Sequence, residues 1–236
     1  MGVALNSERM DTVEKMKKKT ERVRPATFSP YIHGGTVTVD ELSALVDSLK
    51  ASGAKKAKFT GELIFVFGGA ELPGAVKENV KWEANNFKAS NVRPVRTCSA
   101  EVFCQNFQQP VLALAAQIDA KFRGKPLPAK LVIGMAGCKR SCSEPATKDI
   151  GIIAVPRGYE ILAGGAAGMH PMLATSLGVV PTAKDVLKVI EKIIAFLDKG
   201  TKNRRLGHIM EKMGLDDFKE SAGITKLFIG KDDGRD

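Results

Sequence analysis

All four cysteines of the chain lie in two short stretches, TCSAEVFC and GMAGCKRSC. Cys98 and Cys104 have five residues between them, and Cys138 and Cys142 have three. Two close pairs of thiols predict either a shared metal centre or a set of small buried side chains. We expect the first pair to lie on a loop that enters a helix. The second pair has the spacing that brings two side chains to one face of a helical turn.

The spacing of the cysteines also bears on the kind of metal centre. Four thiolates suit either tetrahedral zinc or an iron–sulfur cluster. Structural zinc sites use tighter pairs, commonly with two residues between the ligands, and neither pair has that spacing. The wider loops fit a 4Fe–4S cluster, which we predict on Cys98, Cys104, Cys138 and Cys142. Structural zinc and four thiols that only pack stay as alternatives.

The charge balance narrows the classes of partner. The chain has 36 Lys+Arg against 26 Asp+Glu, a formal net charge of +10. Such an excess attracts an acidic protein or a polyanionic ligand. Aromatic residues are only 6% and no nucleic-acid-binding motif is visible, so we expect no nucleic-acid partner. No apolar run predicts a membrane span or a secretory signal, so we expect a cytoplasmic location, where structural disulfides are rare.

The first half of the chain alternates helical and extended patterns. After a basic segment, residues 1–28, and a loop-like stretch, residues 28–38, apolar residues at helical spacing predict a helix over 38–53, with a capping box at Thr38 and Glu41. Alternating apolar residues predict one strand over 56–69, followed by a helix over 74–87 and an extended piece over 91–98. This order predicts an α+β unit covering residues 29–97.

The second half, residues 98–222, also mixes helices and strands, which makes the fold class α+β. The patterns predict a helix over 108–124, a strand over 129–137, and two strands that turn at residues 156–158. A long amphipathic helix follows from Thr182 to Gly200, and then one shorter helix over 204–221. Residues 223–236 are expected to form a C-terminal tail that frays at its end.

Several of these stretches resemble the sirohaem-dependent sulfite and nitrite reductases. The C-x5-C and C-x3-C pairs, LPAKLVIGMAGCKRSC and KDIGIIAVPRGYEILAGGAAGMHP are each similar to that family's segments. The resemblance runs from about residue 29 to residue 221, a length that is similar to the small, single-repeat, assimilatory-type members. It implies a ferredoxin-like half-domain followed by a 4Fe–4S- and sirohaem-binding α+β domain.

The resemblance also implies a chemistry and a set of site residues. A sirohaem would lie beside the cluster, with Cys142 bridging the two. The implied reaction reduces sulfite to sulfide or nitrite to ammonia, with electrons from a donor protein such as a ferredoxin. Sirohaem is a polycarboxylate, which calls for cations and backbone N–H groups. The positions carried over as catalytic are Lys130 and Arg140. Those carried over as cofactor-binding are Cys142, Lys130, Lys139, Arg140, Lys148, Gly165 and Gly168.

The chain departs from the family pattern at several basic positions. Glu62, Leu63 and Ile64 stand where members typically carry an arginine. Val132 replaces the second lysine of the strand before the cysteines, and the glycine-rich loop lacks its arginines. These departures support a rival reading, an iron–sulfur electron-transfer or tetrapyrrole-binding protein without a reductase activity of its own. Because the chain supplies one of the two halves found in two-repeat relatives, we also expect a homo-oligomer, in the form of a dimer.

Overall fold

The computed structural model describes residues 26–30, 33–59, 64–67, 82–83, 90–199 and 204–229. The basic N-terminal segment, apart from its last residues, lies outside these ranges. So do residues 230–236 of the predicted tail and all of the predicted helix over 74–87 except Trp82–Glu83.

The described residues contain helices and strands in both halves, which confirms the α+β class. The strands are β1 (Ala26–Pro30), β2 (Lys56–Phe59), β3 (Ile64–Phe67), β4 (Trp82–Glu83), β5 (Arg96–Thr97), β6 (Ile133–Ala136), β7 (Ile150–Val155), β8 (Gly158–Ala163) and β9 (Thr175–Val180). The α-helices are α1 (Val39–Ala51), α2 (Ala100–Phe103), α3 (Leu112–Phe122), α4 (Ala183–Asp198), α5 (Leu206–Met213) and α6 (Leu215–Ser221). Short 3₁₀ turns are η1 (His33–Gly35), η2 (Pro145–Thr147) and η3 (Thr225–Leu227).

The first sheet has the strand order β2-β3-β1-β4, and its neighbouring strands are antiparallel. With α1 between β1 and β2, this order is that of a ferredoxin-like unit. Three local predictions were wrong here. The interval 56–69 holds two strands rather than one, paired at Phe59 and Ile64. Residues 28–30 belong to β1 rather than to a loop, and Trp82–Glu83 form a strand rather than part of a helix, because pairing with β1 overrides the local pattern.

Helix α1 begins as its sequence predicts. The Thr38 hydroxyl accepts the N–H of Glu41 at 3.1 Å, and the Glu41 carboxylate accepts the N–H of Thr38 at 2.8 Å. These two hydrogen bonds form the capping box. The apolar stripe is only partly covered, because Leu45 is buried whereas Val39 and Leu42 are exposed.

The second sheet has the order β5-β6-β7-β8-β9. Strands β5, β6 and β7 are parallel, whereas β7, β8 and β9 are joined antiparallel. We call the side where β6 and β7 end the carboxyl edge, and the side where they begin the amino edge. The two strands around residues 156–158 are confirmed, whereas β9 was not predicted. Strand β5 belongs to this sheet although its residues fall within the predicted unit 29–97, and the domain boundaries stay a prediction.

One face of the second sheet carries the main core. Alternate residues of β6 and β7, including Ile133, Met135 and Ile152, are fully buried against α3 and α4. Helix α4 begins at the Thr182 cap, as predicted, and buries one stripe of side chains: Val186, Val189, Ile190, Ile193, Ile194 and Leu197. Full burial of such side chains contributes about 1.5–3 kcal/mol each, so this face supplies much of the stability that holds the sheet edges in place.

The C-terminal region differs from its prediction in two respects. The single helix predicted over 204–221 is two helices, α5 and α6, because Gly214 has a φ of 90° that a helix does not accommodate. Beyond them, Ile224 is fully buried, and the N–H of Ile229 donates to the carbonyl of Val179 at 2.9 Å. Residues 224–229 are therefore attached to the domain.

Candidate functional site

The two cysteine pairs meet at the carboxyl edge of the second sheet. Cys98 directly follows β5, and Cys138 follows β6 with only Gly137 between. The two strands are parallel neighbours, with Thr97 opposite Met135. Because parallel strands end at the same edge of a sheet, the chain brings Cys98 and Cys138 to one place although they lie forty positions apart.

Hydrogen bonds attach both cysteine loops to the end of β6. The carbonyl of Met135 accepts the N–H of Cys98 at 3.3 Å and also the hydroxyl of Ser143. The N–H of Gly137 donates to the sulfur of Cys98 at 3.2 Å. The loops that carry the two cysteine pairs are therefore both hydrogen-bonded to the backbone of residues 135–137. The bond to sulfur is of the kind that tunes an iron–sulfur cluster.

Cys104 is held by the short helix α2, so the expectation that the first pair lies at a loop and helix junction is met. Its N–H donates to the carbonyl of Ala100 at 2.7 Å, and its sulfur lies 3.9 Å from the side-chain nitrogen of Asn106, which donates to it. Between the two cysteines, the carboxylate of Glu101 accepts the N–H groups of Val111 and Leu112 at 3.1 and 3.0 Å. This contact satisfies free N–H groups at the start of α3 and fixes the loop against that helix.

The second pair does not lie on a helical turn, and that prediction was wrong. Ser141 has a φ of 53°, in the left-handed region, and interrupts any helix between Cys138 and Cys142. The chain instead makes two successive turns. The N–H of Ser141 donates to the carbonyl of Cys138 at 3.1 Å, and that of Glu144 donates to the carbonyl of Ser141 at 2.7 Å.

Unfavourable backbone conformations concentrate beside the cysteines. Within the described part of the chain, the non-glycine residues with positive φ are Ala100, Ser141 and Glu144. Each such residue costs about 1–2 kcal/mol. Ala100 is also buried against Gly137, where a Cβ atom would lie 3.0 Å from that of Ala100. Strain of this kind is typical of functional sites, where the surrounding structure fixes the conformation.

The four thiols are all free, and they differ in exposure. Cys98, Cys104 and Cys138 are half-buried, and Cys142 is exposed. Across the described ranges, no three His, Cys, Asp or Glu side chains are grouped closely enough to hold a single metal ion. The donor set fits a 4Fe–4S cluster chemically, because it offers four soft sulfur ligands, and N–H donors already point at the sulfurs of Cys98 and Cys104.

The other predicted site residues are divided between the two edges of the sheet. Lys139 and Arg140 are exposed in the turn at the carboxyl edge, whereas Lys130 is exposed before β6, at the amino edge. The structure therefore does not bring Lys130 and Arg140 together at one end of the strand. Gly165 and Gly168 follow β8 and also lie on the amino side. The roles of these residues stay predictions.

A packing role is visible for Gly165. A Cβ atom there would lie 2.5 Å from the carbonyl oxygen of Ala146 and 2.6 Å from that of Lys148. Likewise, a Cβ atom at Gly151 would lie 2.5 Å from the carbonyl oxygen of Pro145. Glycine at these positions lets the segment 145–148 cross the sheet on the face opposite the main core. Gly168 is exposed with open space around it.

A buried ion pair directly follows the segment 145–148. Asp149 is fully buried, and its oxygens accept Nε and a terminal nitrogen of Arg205 at 3.0 and 2.6 Å. The N–H of Val132 donates to the same carboxylate at 2.8 Å. Burial raises the pKa of Asp149 above its ordinary 3.8, and the bonds from Arg205 and Val132 oppose that rise. The pair joins β6, β7 and the start of α5.

Among the departures from the family pattern, the structure describes the side chain of Val132 but not those of residues 62–64. Val132, at the place of the second lysine, is 8% exposed and packs as a core residue. The second lysine of the family pattern is thus replaced by an uncharged core side chain, and this position supplies no positive charge. Glu62 and Leu63 lie outside the described residues, and of Ile64 only the strand is described.

Residues 88–227 match the family described as nitrite and sulphite reductase 4Fe-4S domain. The match covers more than half of the chain and contains all four cysteines. The chain belongs to this family.

The relatives support the same assignment and set its limits. The chain is 27% identical over 182 residues to a nitrite reductase [NAD(P)H] of Bacillus subtilis, covering 74% of this chain and 22% of the relative. It is 26% identical over 159 residues to an assimilatory-type sulfite reductase of Nitratidesulfovibrio vulgaris, covering 64% and 73%. The structure of the Mycobacterium tuberculosis NirA protein shares the fold, with a TM-score of 0.72 at 17% identity, covering 87% and 41%. The chain thus spans less than a quarter of the Bacillus relative.

Sequence reasoning missed several residues that build the site. Asn106 and Glu101 act through contacts with a sulfur and with the start of α3, and no local pattern signals such contacts. Gly137 had a visible signal, because a glycine before a cysteine that ends a strand indicates close packing.

None of the helices in the described part of the chain is long and apolar enough to cross a bilayer.

Proposed function

We propose that this member of the family holds a 4Fe–4S cluster on Cys98, Cys104, Cys138 and Cys142, coupled through Cys142 to a sirohaem, and that it reduces sulfite or nitrite. The observation that carries the proposal is the meeting of Cys98 and Cys138 at the ends of two parallel strands. That geometry brings one cysteine of each pair to the same edge of the sheet, within the residues that match the family, and so supports a donor set shared by the two pairs.

When bound, the cluster and sirohaem would deliver electrons to the substrate anion, and the chain's own task would be to hold and tune them. Gly137 and Asn106 direct N–H groups at the sulfurs of Cys98 and Cys104, which stabilises negative charge on these ligands. Lys139 and Arg140 extend from the turn between Cys138 and Cys142 into solvent. Their positive charge attracts an anion, and Arg140 is suited to bind its oxygens with two N–H groups.

The test is anaerobic purification followed by an absorption spectrum and an assay with an artificial electron donor. Sirohaem gives bands in the red region, and we expect the reduced protein to consume sulfite or nitrite. Sirohaem without consumption of either anion would instead support the electron-transfer or tetrapyrrole-binding rival. A colourless protein that contains zinc would contradict the proposal.

A pair of serine variants tests the bridging role of Cys142. Serine is nearly isosteric with cysteine but is a poor ligand for soft metal sites. We expect Cys142→Ser to shift or abolish the haem band and to remove the magnetic coupling between the centres. Cys98→Ser should damage the cluster and alter the haem band only indirectly. An unshifted haem spectrum with coupling retained in Cys142→Ser would show that Cys142 is not the bridge. Folding is checked by circular dichroism, because loss of a cluster destabilises a fold.

We also propose that the chain works as a homodimer that receives electrons from a donor protein such as a ferredoxin. Large apolar side chains stand exposed next to the cysteines and in the glycine-rich loop, with Phe103 85% and Met169 92% exposed. Association would cover such surface. Light scattering of the cofactor-loaded protein should give twice the mass of the chain, and a stable monomer would contradict the dimer.

A further inference from the structure

Lys148 is a buried cation on the segment that follows Cys142. Its side chain is 6% exposed. The aliphatic part lies over β6, where a Cβ atom at Gly134 would come within 2.7 Å of Lys148 Cγ. A buried ammonium group is costly unless its N–H groups are paired, so the partners of the nitrogen indicate what the residue does.

Those partners belong to the loop of residues 144–148, which Lys148 closes. Its Nζ donates to the backbone carbonyl of Glu144 at 3.0 Å and to the hydroxyl oxygen of Thr147 at 2.7 Å. It also lies 3.6 Å from the carboxylate of Glu144. Two hydrogen bonds and one ion pair at a longer distance therefore surround the ammonium group.

The loop is held at the residue where its backbone is least favourable. Glu144 has φ 54° and ψ 51°, the left-handed conformation that residues with a side chain disfavour. Its N–H donates to the carbonyl of Ser141 at 2.7 Å, and this bond closes a turn that contains Cys142 and Ser143. The nitrogen of Lys148 therefore contacts the residue whose N–H closes the turn around Cys142.

We propose that Lys148 is a positioning residue whose ammonium group fixes the turn that carries Cys142. Its effect on the turn concerns this chain alone, and its effect on a bound cluster rests on the proposed function. The resemblance assigned Lys148 to cofactor binding. The contacts of its nitrogen assign it to the loop that presents Cys142.

Hydrogen exchange of the full-length chain tests the effect on the turn. Lys148→Met keeps the aliphatic stem over Gly134 and removes the ammonium group. We expect amides in peptides spanning residues 138–148 to exchange about tenfold or more faster, as expected for the loss of hydrogen bonds from a charged donor. Peptides of β8 should be unchanged. The matched control is Lys184→Met, the same change at an exposed lysine on α4, which should leave residues 138–148 unaffected.

Unchanged exchange over residues 138–148 in folded Lys148→Met would overturn the proposal. If that variant does not fold, Thr147→Val decides the question. It keeps the charge but removes the hydroxyl, which accepts from the nitrogen at 2.7 Å and donates to the carbonyl of Glu144 at 3.0 Å. It should accelerate exchange by a smaller factor in the same peptides, and unchanged exchange would again overturn the proposal.

A second measurement separates this inference from the proposed function. After anaerobic reconstitution with iron and sulfide, Lys148→Met should show an altered electron paramagnetic resonance spectrum of the reduced cluster although all four cysteines remain. A spectrum identical to that of the parent chain would overturn the effect on the cluster. If the parent chain itself takes up no cluster, the proposed function fails, and hydrogen exchange still decides whether Lys148 fixes the turn.

Discussion

Asp149→Asn is predicted to destabilise the protein strongly, because it breaks the buried pair with Arg205. The carboxylate is fully buried and accepts two hydrogen bonds from the guanidinium group, at 3.0 and 2.6 Å. An asparagine keeps an oxygen for the N–H of Val132 but no charge for Arg205. The positive charge would then remain in place without its partner.

The structure sets the size of the effect. Removing one partner of a buried ion pair costs about 3–5 kcal/mol. The side chain of Arg205 is 23% exposed and retains some contact with water, so we expect the lower end, about 3 kcal/mol. A domain has only about 5–15 kcal/mol of stability, so the change removes a large share of it.

Urea denaturation, followed by circular dichroism, measures this change. With a denaturant slope of about 3 kcal/mol per molar, the midpoint should fall by about 1 M. The matched control is Glu191→Gln, the same acid-to-amide change in a pair with Lys121, whose side chains are 56% and 46% exposed. An exposed pair contributes about 0–1 kcal/mol. If Asp149→Asn costs no more than Glu191→Gln, the reasoning about burial is refuted.

Three further predictions concern Gly151, Ser141 and Lys148. Gly151→Ala should cost about 1–3 kcal/mol in urea denaturation, because the new Cβ atom meets the backbone oxygen of Pro145 at 2.5 Å. Gly168→Ala should cost less, because nothing lies within 4 Å of a Cβ atom there, and equal costs would contradict this. Ser141→Gly should stabilise by up to about 1 kcal/mol, because glycine accepts a φ of 53° without strain, and Ser141→Val should destabilise; the reverse order would show that the left-handed turn is absent in solution. Burial, and to a lesser extent Arg96, lowers the pKa of Lys148, while Glu144 opposes this shift. Between the lowered pKa and 10.5 the unfolded chain therefore binds more protons than the folded chain, and the free energy of unfolding should rise with pH through this window. Denaturation at a series of alkaline pH values should show this rise in the parent chain and not in Lys148→Met.

Local patterns predicted the elements whose signals are contained in their own residues. The capping box of Thr38, the Thr182 cap and the amphipathic stripe of α4 are local, and the structure has all three. The prediction was wrong where pairing or one backbone angle decides. Trp82–Glu83 become a strand by pairing with β1, and Gly214 divides a continuous helical pattern in two.

The site was predictable in its chemistry but not in its geometry. Four cysteines in two pairs indicate a shared centre, and the family match supports that interpretation. The sequence did not show that Cys98 and Cys138 meet through parallel strands, because strand neighbours are set by long-range pairing. The turn at Ser141 and the contacts of Lys148 also depend on the packed sheet beneath them, so helical spacing alone misplaced the second pair.

The content of iron and acid-labile sulfide tests the central claim most directly. We predict that the anaerobically purified or reconstituted chain contains iron and sulfide in equal amounts, about four of each, as a 4Fe–4S cluster requires. Each single serine variant of Cys98, Cys104, Cys138 and Cys142 should lower both together, while circular dichroism still shows a folded chain. Zinc without acid-labile sulfide, or serine variants that all retain the full content of iron and sulfide, would contradict the account.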